Sequence, residues 1–127
     1  TCTALQISME QWMRTLLEAH PSGDKSFAYN LMGRTLATQG RLDEAIAAFE
    51  RSYAADPIYL HPLFEMANVY IALGKVDEAS QVLRELREAN RTNPYPRNRE
   101  IELVASAIDA LRTKQREGSD RVTQDAP

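Results

Sequence analysis

Gly40-Arg41-Leu42-Asp43-Glu44-Ala45 returns 34 residues downstream as Gly74-Lys75-Val76-Asp77-Glu78-Ala79, and that return decides how the rest of the chain is read. Self-similarity at a period of roughly 20 to 50 residues marks an array of supersecondary units, so it outranks local propensity. The same shift carries Met32 onto Met66 and Ala55 onto Ala89, and it pairs Gly33 with Ala67, Leu36 with Tyr70, Arg41 with Lys75 and Phe49 with Leu83. Each copy reads as two helices joined by a short turn.

Helical spacing supports this on both sides of the turn. Tyr29, Met32, Gly33 and Leu36 recur at intervals of three and four, the mark of one helix face, and Gly40 supplies the left-handed conformation that closes such a helix. Leu42, Ala45, Ile46, Phe49 and Tyr53 stripe the next helix, which stops before Asp56-Pro57 because proline disfavours helical geometry in the residue preceding it. Asp43 and Glu44 stand in its first turn, where the helix dipole favours acids. In the second copy Pro62 fits a first helical turn, Leu63, Met66, Ala67 and Tyr70 form the stripe, and Gly74 ends it. Val76, Ala79, Val82, Leu83 and Leu86 line the following helix. The small residues Gly33, Ala45, Ala67 and Ala79 stand where helices must approach closely.

The flanks complete the organisation. Residues 1–25 hold a helix over about residues 3–19, with Leu5, Met9, Trp12, Met13, Leu16 and Leu17 on one face, ending at His20-Pro21-Ser22-Gly23-Asp24. Repeats follow at 26–59 and 60–93. Beyond the stiff Asn93-Pro94-Tyr95-Pro96 connector, a capping segment over 94–116 carries a helix from about residue 98 that buries Ile101, Val104, Ala105, Ile108 and Leu111. Residues 117–127 read as a disordered polar tail. The fold class is therefore all-α, with about six helices.

Composition narrows the function. At 127 residues one domain is the default. With 43% hydrophobic and 26% charged residues the chain is an ordinary globular one, so wholesale disorder is excluded. No apolar run reaches the roughly 18 to 20 residues needed to cross a bilayer, so direct membrane insertion of this segment is not expected. The first residues lack the basic and apolar blocks of a signal peptide, and the start at Thr1 fits a processed chain or a piece of a larger protein, either cytoplasmic or periplasmic. A net charge of −3 has the wrong sign for a domain that binds through phosphate contacts, so nucleic acid is not an expected partner. Cys2 permits no internal disulfide and no multi-cysteine metal site; lipid attachment there would need an apolar leader just before it.

Catalysis finds no constellation. His20 and His61 each precede a proline at separate helix boundaries, with no second ligand at metal spacing, so no catalytic residue, metal or cofactor is expected. The repeated pairs Asp43-Glu44 and Asp77-Glu78 are explained by the helix dipole, and the methionines fall on core stripes. Arg84, Arg87, Arg91 and Arg97, interleaved with Glu85 and Glu88, read as a solvated helix face with helical ion pairs.

The chain resembles the tetratricopeptide repeat family. The likeness rests on Tyr29, Met32, Gly33, Leu36, Gly40, Leu42, Ala45, Phe49, Ser52 and Pro57, and on Leu63, Met66, Ala67, Tyr70, Gly74, Val76, Ala79 and Leu83. The second copy departs from it by placing Leu86 where the family prefers a small residue and Arg91 where it prefers proline. The resemblance implies a short right-handed α-solenoid of antiparallel helix hairpins. It also implies a concave groove, lined by the first helix of each pair, that binds a protein or peptide partner. The groove positions are then Phe27, Asn30, Arg34 and Thr38 in the first copy and His61, Phe64, Asn68 and Ile71 in the second. Asn30, Arg34 and Asn68 would hold a peptide backbone or carboxylate, while Phe27, Phe64 and Ile71 would form an apolar platform. Phe27 and Phe64 fit packing against the neighbouring terminal helices equally well. Some members of the family grip a carboxylate with lysines and asparagines, but the matching positions here offer Asn30, Phe64 and Glu65.

The expected function is thus a non-enzymatic interaction module, with homo-oligomerisation open. Asn90 through Arg97 also looks like linkers in repeat-containing tails of bacterial membrane enzymes that polymerise or ligate O-antigen sugars. That likeness implies an alternative, a soluble appendage or oligomerisation element of a larger membrane protein in cell-envelope polysaccharide assembly.

Overall fold

The computed structural model describes residues 11, 14, 15 and 22–125. Its five helices are α1 (Ser22–Thr38), α2 (Leu42–Ala55), α3 (His61–Ala72), α4 (Val76–Arg91) and α5 (Asn98–Asp125). No strand occurs among the described residues. Gln11, Arg14 and Thr15 are also helical, with the Thr15 hydroxyl donating to the Gln11 carbonyl. The expected N-terminal stripe of Leu5, Met9, Trp12, Met13, Leu16 and Leu17 lies outside the described residues. Two compact units divide the chain, Thr1–Glu65 and Met66–Pro127.

Both turns are built alike. Gly40 and Gly74 have φ of 79° and 73°, the left-handed region that only glycine enters without strain. At the first, Arg41 N–H donates to Leu36 O at 2.9 Å and Gly40 N–H to Ala37 O at 3.0 Å. At the second, Lys75 N–H donates to Tyr70 O at 2.9 Å and Gly74 N–H to Ile71 O at 3.0 Å. These two bonds are the paired closure of a Schellman helix end. The next helices start alike too, with Arg41 and Lys75 at φ −86° and −88° and neither N-cap using a side chain.

In the first unit α1 and α2 run antiparallel, since Ser26 meets Ser52 and Gly33 meets Phe49. A Cβ added at Gly33 would fall 2.5 Å from Phe49 Cε1, so the missing side chain is what admits the fully buried ring. Two turns away along α1, the Ser26 hydroxyl donates to Ser52 O at 2.8 Å and the Ser52 hydroxyl donates back to Ser26 O at 2.6 Å. Both hydroxyls are thereby satisfied where water cannot reach them. Helix α2 ends as the sequence implies: Asp56 is extended at φ −152°, ψ 93°, ahead of Pro57.

In the second unit α4 and α5 pack antiparallel over Ala79, Val82, Leu86, Ile101, Val104 and Ile108, all buried. A row of exposed bonds runs along the seam: Gln115 to Gly74 O, Arg112 to Ser80, Arg87 to Glu102 and Asn90 to Asn98. Leu86, large where the repeat pattern favours a small residue, is fully buried in this core. At the exit where the pattern favours proline, Asn90 does the shaping: its Oδ1 accepts Arg97 N–H at 2.7 Å and its amide donates to Asn98 Oδ1 at 2.6 Å.

Two boundaries differ from the sequence reading. Helix α1 begins at Ser22, inside the stretch 20–24 at which the sequence reading ended the N-terminal helix, and ahead of the repeat boundary at 26. The last helix continues to Asp125, where the sequence reading placed a disordered tail from residue 117. Residues 112–117 are, Thr113 apart, arginine, lysine, glutamine and glutamate, whose straight side chains lose little freedom in a helix. Beyond them Gly118, Ser119, Asp120, Val122 and Thr123 bring no such propensity, and the helix continues without it.

Candidate functional site

The expected contact face is that of the first helix in each copy, and its residues divide between the two units. In the first unit Phe27 is exposed at 61%, and Arg34, two turns along α1, keeps 60% of its side chain in solvent. Phe27 thus keeps most of its ring in solvent. Arg34 Nε stands 3.9 Å from Glu65 Oε1, a long ion pair that leaves the guanidinium's fork largely unused. Thr38 is exposed but its hydroxyl is spent on the Arg34 carbonyl at 2.9 Å. His61 opens α3, exposed, with its ring stacked on Tyr59 at a centroid distance of 5.3 Å. Phe64 is half-buried. In the second unit Asn68 is exposed and Ile71 half-buried.

Asn30 is the correction. The sequence reading puts its amide on the contact face, yet the residue is 3% exposed. It follows Ser26 by four residues and precedes Gly33 by three, so it shares the α1 face that those two turn toward α2. Its Oδ1 has no hydrogen-bond partner among the described residues. The reason for the misreading is that α1 is only weakly amphipathic, so its pattern does not announce which face goes inside.

The arginine face expected on α4 forms one helical ion pair, Arg91 to Glu88 at 3.0 Å. Arg87 instead reaches across to Glu102 at 2.8 Å, and Arg84 donates to Gln81. Among the described residues no group of three His, Cys, Asp or Glu side chains could hold a metal ion. No helix there is long and apolar enough to cross a membrane.

A feature the sequence reading passed over lies elsewhere in the first unit. A half-open cavity of about 220 Å³ is lined by Arg14, Met32, Leu36, Arg41, Glu44, Ala47, Ala48 and Arg51. Arg41 grips Glu44 with two guanidinium nitrogens, Nε to Oε2 and the terminal nitrogen to Oε1. That grip holds the Glu44 carboxyl below its ordinary range. Arg14 and Arg51, both exposed, have no ion-pair partner among the described residues. Nothing in the local sequence flags this cluster, because Arg14 and Arg51 are 37 residues apart. The spacing of Arg41 and Glu44, three apart at a helix start, is the one signal that could have drawn attention to it.

Two family models, both described as tetratricopeptide repeat, match the chain over residues 10–57 and 36–98. No curated protein and no solved structure matches it.

Proposed function

Because the chain belongs to the tetratricopeptide repeat family, whose repeats mediate protein–protein interactions, we propose that it is a non-enzymatic module holding a peptide or partner helix on its first-helix faces. The observation that carries this is Phe27 and Arg34 together. A large aromatic ring and an underused guanidinium stand on one helix face, and that combination of apolar anchor and fixed donor is what protein interfaces favour at their centres. Glu65 stands beside Arg34 in the first unit, and Phe64, Asn68 and Ile71 are the corresponding positions of the second copy's first helix. Asn30, being buried, has no direct part in it.

The test starts from peptides selected on the intact protein out of a random library, with affinities then measured by fluorescence anisotropy. Phe27→Ala and Arg34→Glu are each expected to weaken the selected peptides about tenfold or more. Both positions are exposed, so the fold survives them. Unchanged affinity in both variants would remove these faces from the reading.

A further inference from the structure

The cavity between Arg14, α1 and α2 is a site that the interaction reading does not use. Successive residues of an α-helix turn by about 100°, so Met32 and Leu36, which line the cavity, project roughly 160° away from Arg34. It is a separate place on the first unit, not an extension of the proposed contact face.

Its chemistry is divided in two. Met32, Leu36, Ala47 and Ala48 supply an apolar wall, with Leu36 and Ala48 buried and Met32 half-buried. Arg14, Arg41 and Arg51 bring three cations to the same small space, and among the described residues one acid, Glu44, answers them. Because Glu44 is held by Arg41 through two nitrogens, that pair is internally neutral, and among the described residues the surplus positive charge belongs to Arg14 and Arg51. The chain as a whole carries a net charge of −3, so this local excess runs against the protein's average field. At about 220 Å³ the space is smaller than the roughly 300 to 1,000 Å³ of pockets for drug-sized ligands. It has room for one aliphatic side chain and the carboxylate beside it, and not for a nucleotide or a large cofactor. Arginine forks recognise carboxylates with paired hydrogen bonds, and methionine adapts its shape to an entering aliphatic group.

We propose that this cavity binds an acidic segment of a partner protein, seating a Glu or Asp carboxylate between Arg14 and Arg51 while a neighbouring aliphatic side chain rests against Met32, Leu36, Ala47 and Ala48. The charge complementarity selects an acidic partner, and the apolar wall selects against a bare anion such as inorganic phosphate. Two recognition elements side by side give the site a sequence requirement that neither would impose alone.

The experiment uses the whole chain and three capped, fluorescently labelled peptides in a Gly/Ser frame, with Leu-Glu-Leu, Leu-Gln-Leu or Gly-Glu-Gly at the centre. Binding is followed by anisotropy at low and at physiological salt. The Leu-Glu-Leu peptide is expected to bind about tenfold more tightly than either control, and its affinity to fall as salt rises, since the rim charges are exposed. Arg51→Glu is expected to weaken it about tenfold. Ala47→Phe, which fills the mouth of the cavity from an exposed position, is expected to do the same to both leucine peptides. Circular dichroism melts of the two variants check that the fold is retained. Equal binding of all three peptides, no binding of Leu-Glu-Leu up to millimolar concentration, or displacement of it by millimolar inorganic phosphate would each overturn the proposal. Binding that survives Arg51→Glu and Ala47→Phe but is lost in Arg34→Glu would overturn it too, while leaving the first-helix reading standing. Loss in Arg51→Glu with Arg34→Glu unaffected supports the cavity whatever becomes of that reading.

Discussion

The α1–α2 hairpin of the first unit and the α4–α5 pair of the second are both antiparallel, yet unlike chemistry marks their seams. In the first, a missing side chain at Gly33 lets the Phe49 ring sit against the backbone, and two buried serines close on each other's carbonyls. In the second, an aliphatic core from Ala79 to Ile108 lies under a row of exposed polar bonds from Gly74–Gln115 to Asn90–Asn98. A seam that depends on atomic fit is sensitive to one added methyl group. A seam whose polar bonds all lie in water is insensitive to losing any one of them, because solvent replaces what is removed.

Substitutions put that contrast at risk, and the largest effect is expected at Gly33. Gly33→Ala gains about 1 kcal/mol of helix propensity but drives a methyl into the Phe49 ring, for a net destabilisation of about 2 kcal/mol in urea unfolding. Combining it with Phe49→Leu should recover part of the clash, and strict additivity of the two would refute the fit described here. Ser26→Ala comes next, at about 1 kcal/mol, because it removes one buried hydrogen bond from the Ser52 carbonyl, which keeps Asp56 N–H as a donor, while the Ser52 hydroxyl keeps its own bond to Ser26 O.

The turns sharpen the comparison from the other side. Gly40→Ala and Gly74→Ala are each expected to cost about 1 kcal/mol, and nearly the same amount, since the backbone geometry is common to both. A large difference between them would mean that the surroundings, not the left-handed backbone, set the penalty. Across the second seam, Arg87→Ala and Glu102→Ala should each shift stability by less than about 0.5 kcal/mol.

The smallest effect concerns Glu44. Its carboxyl is lowered by the hydrogen bonds from Arg41, so the stabilisation it gives is present above the unfolded carboxyl's ordinary pKa and is lost as pH falls through the lower folded value. NMR titration should find Glu44 protonating at lower pH than an ordinary glutamate, and Arg41→Ala should return it to the ordinary range. A titration unmoved by Arg41→Ala would contradict the assigned cause.

Read from the residues alone, the 34-residue period, the two glycine turns, the stop before Pro57 and the need for a small residue at Gly33 were all legible. Each of these is decided within one turn of the chain or by a repeat of it, by steric limits on φ and ψ and by side-chain size. Asn30 was not legible, because α1 has too little amphipathic pattern to say which side faces inward, and only packing against α2 chose. The Ser26–Ser52 clasp, the Arg34–Glu65 pair and the cavity joining Arg14 to Arg51 were equally hidden. They link side chains 26 to 37 residues apart, and no local periodicity reports on which distant groups a packed fold will bring together.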